Sequence, residues 1–307
     1  MQTIYFGAPG TGKSNTIDTQ IVKSVADEYV FRVTFYPDFT YSDFIGQLLP
    51  QVETRPDGTE NITYKFSKGV FTKALEKAYE DVSKDVYLIV EEMSRGDCAA
   101  IFGDVFQLLD REKNGLNKGY SKYFINNEMI AKDIHALSGT KVKLPPKFHI
   151  LGTVNTSDQN VFVMDTAFKR RFEWEYVSPD PVEDAHNPGT FLNNPDIEVI
   201  DARGTRTVQW IDMYEKLNLF IADDQYLGLG EDKQLGPFFI EFDMSDSDIR
   251  KRQIKNKLLH YLWNDIQKAS YKVEIKLFDK NIGTFRELYN KYTNDEKIFS
   301  DDFLALL

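Results

Sequence analysis

The chain has a single cysteine, Cys98, in 307 residues. That excludes an intramolecular disulfide framework and a Cys-x-x-Cys metal site, and it points to a reducing, cytoplasmic compartment. Positive charge is scarce: 37 Lys and Arg stand against 48 Asp and Glu, for a net charge of −11. A surface built chiefly to neutralise a phosphate backbone would carry the opposite sign. No apolar run approaches the roughly 18 residues that span a bilayer, and no basic stretch followed by an apolar core marks a secretory signal. No membrane contact is expected. The four histidines, His135, His149, His186 and His260, are far apart and lack ligand spacing. Disorder is excluded by a hydrophobic content of 42%, and the length suits one large domain or a core with a smaller companion.

What is present begins at once. Gln2 to Phe6 is a short β-rich run, and Gly7-Ala8-Pro9-Gly10-Thr11-Gly12-Lys13-Ser14 fits the pattern G-x-x-x-x-G-K-[ST]. Ile17, Ile21, Val22 and Val25 then fall on one helical face. Strand, glycine loop and helix form the context of a phosphate-binding loop. The glycines let successive N–H groups turn toward phosphate oxygens, and the new helix adds its positive end. Lys13 is placed to reach the β- and γ-phosphates of a nucleoside triphosphate, and Ser14 to ligate Mg²⁺. Only six residues precede the motif, so the chain is expected to be cut at a domain edge.

Val86 to Val90 is apolar without alternation, the pattern of a strand buried on both faces. It ends in Glu91-Glu92. Acids leaving the carboxyl end of such a strand gather where ligands bind in a parallel sheet. Glu91 is assigned to the metal and Glu92 to the attacking water. A third strand, Phe148 to Thr153, leads to Asn155, a polar residue suited to sense a γ-phosphate. Asp165 to Phe172 reads as a short helix running into a last strand at Glu173 to Val177. Arg170 and Arg171 at that junction could reach a neighbour's nucleotide, since Arg offers a permanent charge and a fork of donors.

Phosphate loop, paired acid, strand-end Asn and Arg pair, in that order, resemble an AAA+ core. The segments Phe35 to Ile45, Lys68 to Phe71, Val90 to Asp97, Ile101 to Asp110, Asn155 to Asp158 and Asp165 to Phe172 are similar to the McrB family. That family supplies the motor subunit of modification-dependent restriction systems. The resemblance covers most of residues 1–180 and thins out beyond. It implies a ring oligomer, commonly a hexamer, that hydrolyses GTP rather than the usual ATP with Mg²⁺. It also implies a McrC-type nuclease partner and DNA recognition through a domain absent from this chain. It places Asn155 and Asp158 among the catalytic residues and makes Arg170 or Arg171 the arginine acting on a neighbouring subunit. Three positions depart from the family pattern: Glu91 stands where Asp is usual, Ser94 where Asn is usual and Gln159 where Arg is usual. No Asn-Lys-x-Asp motif marks a guanine base, so GTP rests on the resemblance alone.

Ser178-Pro179-Asp180-Pro181 marks a boundary. The expected architecture is α/β: a P-loop AAA+ core at residues 1–181, its parallel sheet flanked by helices, then a small, mainly helical lid at 182–307. Helical patterning covers Val208 to Ile221, Asp246 to Trp263 and Thr284 to Tyr292, with Ser247 and Thr284 as N-caps. Lys233, beside Gly236-Pro237, is the cation on offer as a second phosphate sensor. Two other readings stay open. One is an ATP-driven, protein-remodelling AAA+ protein of the dynein-related group; the other is a nucleotide-binding scaffold with little turnover, motivated by Glu91 and Gln159.

Overall fold

The computed structural model describes residues 1–137, 139–157, 162–272 and 274–307. The chain divides into two compact units. The first comprises Met1–Phe6, Ser14–Val154 and Asp158–Glu175, and the second Gly7–Lys13, Asn155–Ser157 and Tyr176–Leu307.

The strands running through the first unit are β1 (Gln2–Gly7), β2 (Val30–Thr34), β3 (Gly46–Thr54), β4 (Glu60–Lys68), β5 (Val86–Glu91), β6 (Ile125–Asn126), β7 (Lys141–Val142), β8 (Phe148–Asn155) and β9 (Glu173–Tyr176). Five of them form a parallel sheet in the order β2-β5-β8-β1-β9. The apolar run of β5 lies inside that order, paired with β2 on one side and β8 on the other, with Val86, Leu88, Ile89 and Val90 fully buried. Ile4 of β1 and Ile150 and Leu151 of β8 are equally buried. This is why the run lacks alternation: helices cover both faces. The helix Val70–Glu80 buries Phe71, Ala74, Leu75 and Ala78, the i, i+3, i+4, i+7 stripe of a core-facing helix. The Phe71 ring packs on Phe148 of β8 at 5.7 Å. Since the strands are parallel, the carboxyl ends of β1, β5 and β8 share one edge, where loops are free to build a site.

The helix after the glycine loop is shorter than its apolar spacing suggests. It runs over Lys13–Thr16 and closes with one π-turn at Ile17–Ile21. Several elements are not legible in the sequence, and two stand out. One is β2. The other is the hairpin of β3 and β4, paired from Gly46↔Lys68 to Thr54↔Glu60. Its turn is tied by Asp57, which accepts from the Thr59 N–H at 3.0 Å and hydroxyl at 2.6 Å.

The long excursion from residue 111 to 146 holds the small β6–β7 pair and the helix Glu128–Asp133. One side chain, Arg111, ties it to the sheet. Arg111 donates to the Gln2 amide oxygen at 2.7 Å and to the carbonyls of Gly119, Pro145 and Phe148 at 2.9, 3.0 and 2.7 Å.

The second unit contains the antiparallel pair β10 (Asp196–Asp201) and β11 (Gly204–Gln209) and is otherwise mainly helical. The helix Trp210–Ala222 buries Trp210, Tyr214, Leu217, Phe220 and Ile221. A helical run starts at Ser247 and passes through two π-turns, Ile254–Leu258 and Leu262–Gln267. Its cap is Asp246, not Ser247: the Asp246 carboxylate accepts from the N–H groups of Asp248 at 2.8 Å and Ile249 at 3.2 Å. Thr284 caps Phe285–Thr293 as expected, in a reciprocal box with Glu287. Among the described residues no helix is long and apolar enough to cross a membrane.

Candidate active site

The phosphate loop belongs to the second unit. Gly10 and Gly12 sit at φ 78° and 88°, a backbone open to glycine at little cost. The Lys13 ammonium is buried, donating to the carbonyls of Gly7 at 3.1 Å and Ala8 at 2.8 Å, so its charge lies over the loop that carries it. Thr11 closes the turn by donating to the Ala8 carbonyl at 3.1 Å. Within the same unit, the Gly236 N–H donates to Pro9 at 2.9 Å and the Phe238 N–H to Gly10 at 2.8 Å. The residue after Asn155 is tied to the loop as well: the Thr156 N–H donates to the Gly7 carbonyl at 3.2 Å.

The acids belong to the first unit. Glu91 ends β5, and its side chain is 14% exposed. Its Oε2 accepts from the Ser14 hydroxyl at 2.9 Å and the Thr153 hydroxyl at 2.5 Å. Its Oε1 faces Arg32 of β2, whose other terminal nitrogen pairs with Asp18. Two hard oxygen donors, the Ser14 hydroxyl and the Glu91 carboxylate, thus converge. That is the donor chemistry Mg²⁺ favours, one or two protein oxygens with water and phosphate completing the shell. The residues present fit the ion.

Glu92 takes the left-handed conformation at φ 53° and ψ 44°. For a non-glycine residue this is uncommon, and such backbone clusters at functional sites. Its N–H donates to the Thr153 hydroxyl at 3.1 Å, and its Oε2 lies 3.4 Å from the Arg95 Nε.

The arginine pair is split. Asp165 caps the helix Thr166–Lys169 by accepting from the Phe168 N–H at 2.6 Å. Past the helix end, Arg171 turns inward: it donates to Asp110 and to the Ala167 carbonyl, both at 2.7 Å, and lies over the Phe106 ring at 4.0 Å. Arg170 is exposed. Asp158 and Gln159 lie outside the described residues. Lys233 ends a short turn, and its carbonyl accepts from the Tyr261 hydroxyl at 3.0 Å.

Three groups went unassigned in the sequence. Arg32 sits in a strand too mixed in character to be recognised, and Thr153 reads only as a strand residue. The segment Gly236–Phe239 is marked in the sequence only by Gly236-Pro237, which does not announce its backbone contact with the loop.

Residues 2–172 match the family described as the AAA domain of the dynein-related subfamily. The chain is similar to the type II restriction enzyme BsuMI component YdiS of Bacillus subtilis (strain 168), 34% identical over 319 aligned residues that take in 97% of this chain and 88% of the relative. It is also similar to the type IV methyl-directed restriction enzyme EcoKMcrB subunit of Escherichia coli (strain K12), 26% identical over 176 residues. That second match takes in 56% of this chain and spans only 34% of the relative's length. With the glycine loop, the strand-end acids and the five-stranded parallel sheet in place, the chain belongs to the dynein-related AAA domain family and is a McrB-like AAA+ ATPase.

Proposed function

We propose that the chain is the nucleotide-hydrolysing motor of a restriction complex, turning over GTP in preference to ATP with Mg²⁺. The observation that carries the hydrolytic part is the convergence of Ser14 and Glu91 at 2.9 Å beside a left-handed Glu92. In this reading the loop N–H groups and Lys13 bind the phosphates, and Ser14 and Glu91 hold the metal, which supplies charge for the leaving phosphates. Glu92 orients the water and takes its proton. Asn155, tied through Thr156 to the loop, senses the γ-phosphate, with Asp158 of the same signature beside it in sequence. Arg170, exposed at the helix end, acts across a subunit boundary in a ring; Arg171 holds the helix in place. Residues 1–181 form the hydrolytic core and 182–307 the lid.

The restriction setting is supported by the two relatives, both components of restriction enzymes. It implies a nuclease partner and DNA contact through another domain, consistent with the acidic charge of this chain, in the cytoplasm. Steady-state hydrolysis of GTP and ATP, measured side by side with and without a candidate nuclease subunit, tests this. GTP turnover stimulated by the partner is expected. ATP turnover alone, indifferent to any nuclease, would favour a protein-remodelling enzyme instead. A Lys13→Ala variant that bound nucleotide with unchanged affinity would remove the phosphate loop from the account.

A further inference from the structure

We propose that Thr153 is a positioning residue that couples the two neighbouring acids, fixing the Glu91 carboxylate with its proton and the Glu92 backbone with its lone pair. The inference deepens the reading of Glu91 and Glu92 given above and rests on it.

The chemistry of one hydroxyl sets the direction of both bonds. An ionised carboxylate only accepts, so the single Thr153 proton goes to Glu91 Oε2, at 2.5 Å. A backbone N–H only donates, so a Thr153 lone pair receives Glu92, at 3.1 Å. The hydroxyl thereby gives one bond and receives one, and Thr153 is buried at 3% exposure.

Its location explains why the bond is needed. The backbone ladder between β5 and β8 ends at Val90↔Gly152. The next residue on each strand is Glu91 and Thr153, so the side-chain bond continues the pairing where the main chain stops. Immediately beyond, Glu92 enters the left-handed region, which a non-glycine residue holds only where its surroundings over-determine it. The bond from Thr153 is one such constraint, and the Glu92–Arg95 pair is a second.

Ser14 shares the same Glu91 oxygen at 2.9 Å, while Oε1 faces Arg32. Thr153 therefore fixes which carboxylate oxygen meets the Ser14 hydroxyl. A shift of the metal-side acid is transmitted through one hydroxyl to the backbone of the water-side acid. Partners that orient metal ligands in this way typically matter about 10- to 100-fold in metal affinity or activity.

A threonine that merely fills space in a β-strand would be replaced by valine without consequence for the site. The test compares wild type, Thr153→Val and Thr153→Ser in the full chain. It measures kcat and KM for GTP and ATP, the Mg²⁺ concentration for half-maximal turnover, and nucleotide Kd by titration with Mg²⁺ and with EDTA. Thr153→Val is expected to lower kcat about tenfold or more and to shrink the Mg²⁺-dependent gain in nucleotide affinity by a similar factor. Its Kd in EDTA should stay near wild type, because the phosphate loop is untouched. Thr153→Ser restores the hydroxyl and should recover both quantities to within about threefold of wild type. Its recovery also shows that lost packing is not the cause.

Unchanged kcat and an unchanged Mg²⁺ effect in Thr153→Val would overturn the inference, as would a serine variant as impaired as the valine one. The affinity ratio separates this inference from the reading beneath it. A wild type that hydrolyses neither nucleotide removes the motor reading, yet a Mg²⁺ effect lost in valine and regained in serine still places Thr153 behind Glu91.

Discussion

Gly236 donates its backbone N–H to the Pro9 carbonyl at 2.9 Å, laying a glycine from the C-terminal part of the chain against the outer turn of the phosphate loop. The approach leaves no room for a side chain. A Cβ on Gly236 would sit 2.3 Å from the carbonyl carbon and oxygen of Gly10 and from the Thr11 nitrogen, all backbone atoms that cannot swing aside. One on Gly10 would meet the Phe239 nitrogen, also at 2.3 Å. Gly236→Ala is therefore expected to open this clasp. Nucleotide Kd should rise about tenfold, and stability should fall by about 1–3 kcal/mol, the usual cost of overpacking. Nucleotide titration and urea unfolding measure the two effects. Wild-type affinity in this variant would mean that the loop keeps its shape without the clasp.

The adjacent arginines should separate cleanly. Arg171 has a side chain 10% exposed and bonds to Asp110 at 2.7 Å. Arg171→Ala leaves that carboxylate without its partner and strips the Phe106 ring of its cover, at a cost of about 2–4 kcal/mol. Arg170→Ala removes an exposed side chain and should change stability by less than about 0.5 kcal/mol. If Arg170 acts on a neighbouring subunit, turnover in the assembled protein should nevertheless fall about 10³-fold or more. Thermal melts and turnover against protein concentration distinguish the two. Equal effects on stability would contradict the split seen in the structure.

Arg111 serves three carbonyls and one amide oxygen. Its burial pulls the guanidinium pKa down to about 10, so it stays charged at neutral pH. Arg111→Met keeps much of the aliphatic stem but takes the guanidinium donors away from those acceptors. A loss of about 2–4 kcal/mol in urea unfolding is expected, with faster amide hydrogen exchange across residues 111–146. An unchanged denaturation midpoint would show that the excursion is held by its own packing.

The parts of the fold legible in the sequence were those with one dominant signal. Gly7 to Ser14 is a motif whose residue types are each demanded by phosphate chemistry. The β5 run is uninterrupted because both its faces are covered. The hairpin of β3 and β4 escaped because its residues alternate weakly and stay exposed, so burial never forced a pattern on them. Even so, Arg55-Pro56-Asp57-Gly58-Thr59 carries a turn signature that was open to reading. The short strand β2 is interrupted by Arg32, which a local pattern counts against a strand but the Glu91 carboxylate requires. At the site, the acids were legible as residues but not as a geometry. Nothing in the string Val90-Glu91-Glu92-Met93 announces a left-handed Glu92, and Thr153 becomes visible only when β8 is laid against β5. Arg170 and Arg171 are alike in sequence; the end of a four-residue helix decides which one meets Asp110.

In the proposed mechanism Glu92 activates water for hydrolysis of a nucleotide held by the glycine loop. The most direct measurement compares wild type with Glu92→Gln, which keeps the size of the side chain and removes its basicity. GTP and ATP turnover would be followed with saturating Mg²⁺, alongside nucleotide Kd. Binding within about twofold of wild type is expected, with turnover reduced about 10²-fold or more, the usual contribution of a positioned general base. A wild type that hydrolyses either nucleotide no faster than Glu92→Gln would contradict it.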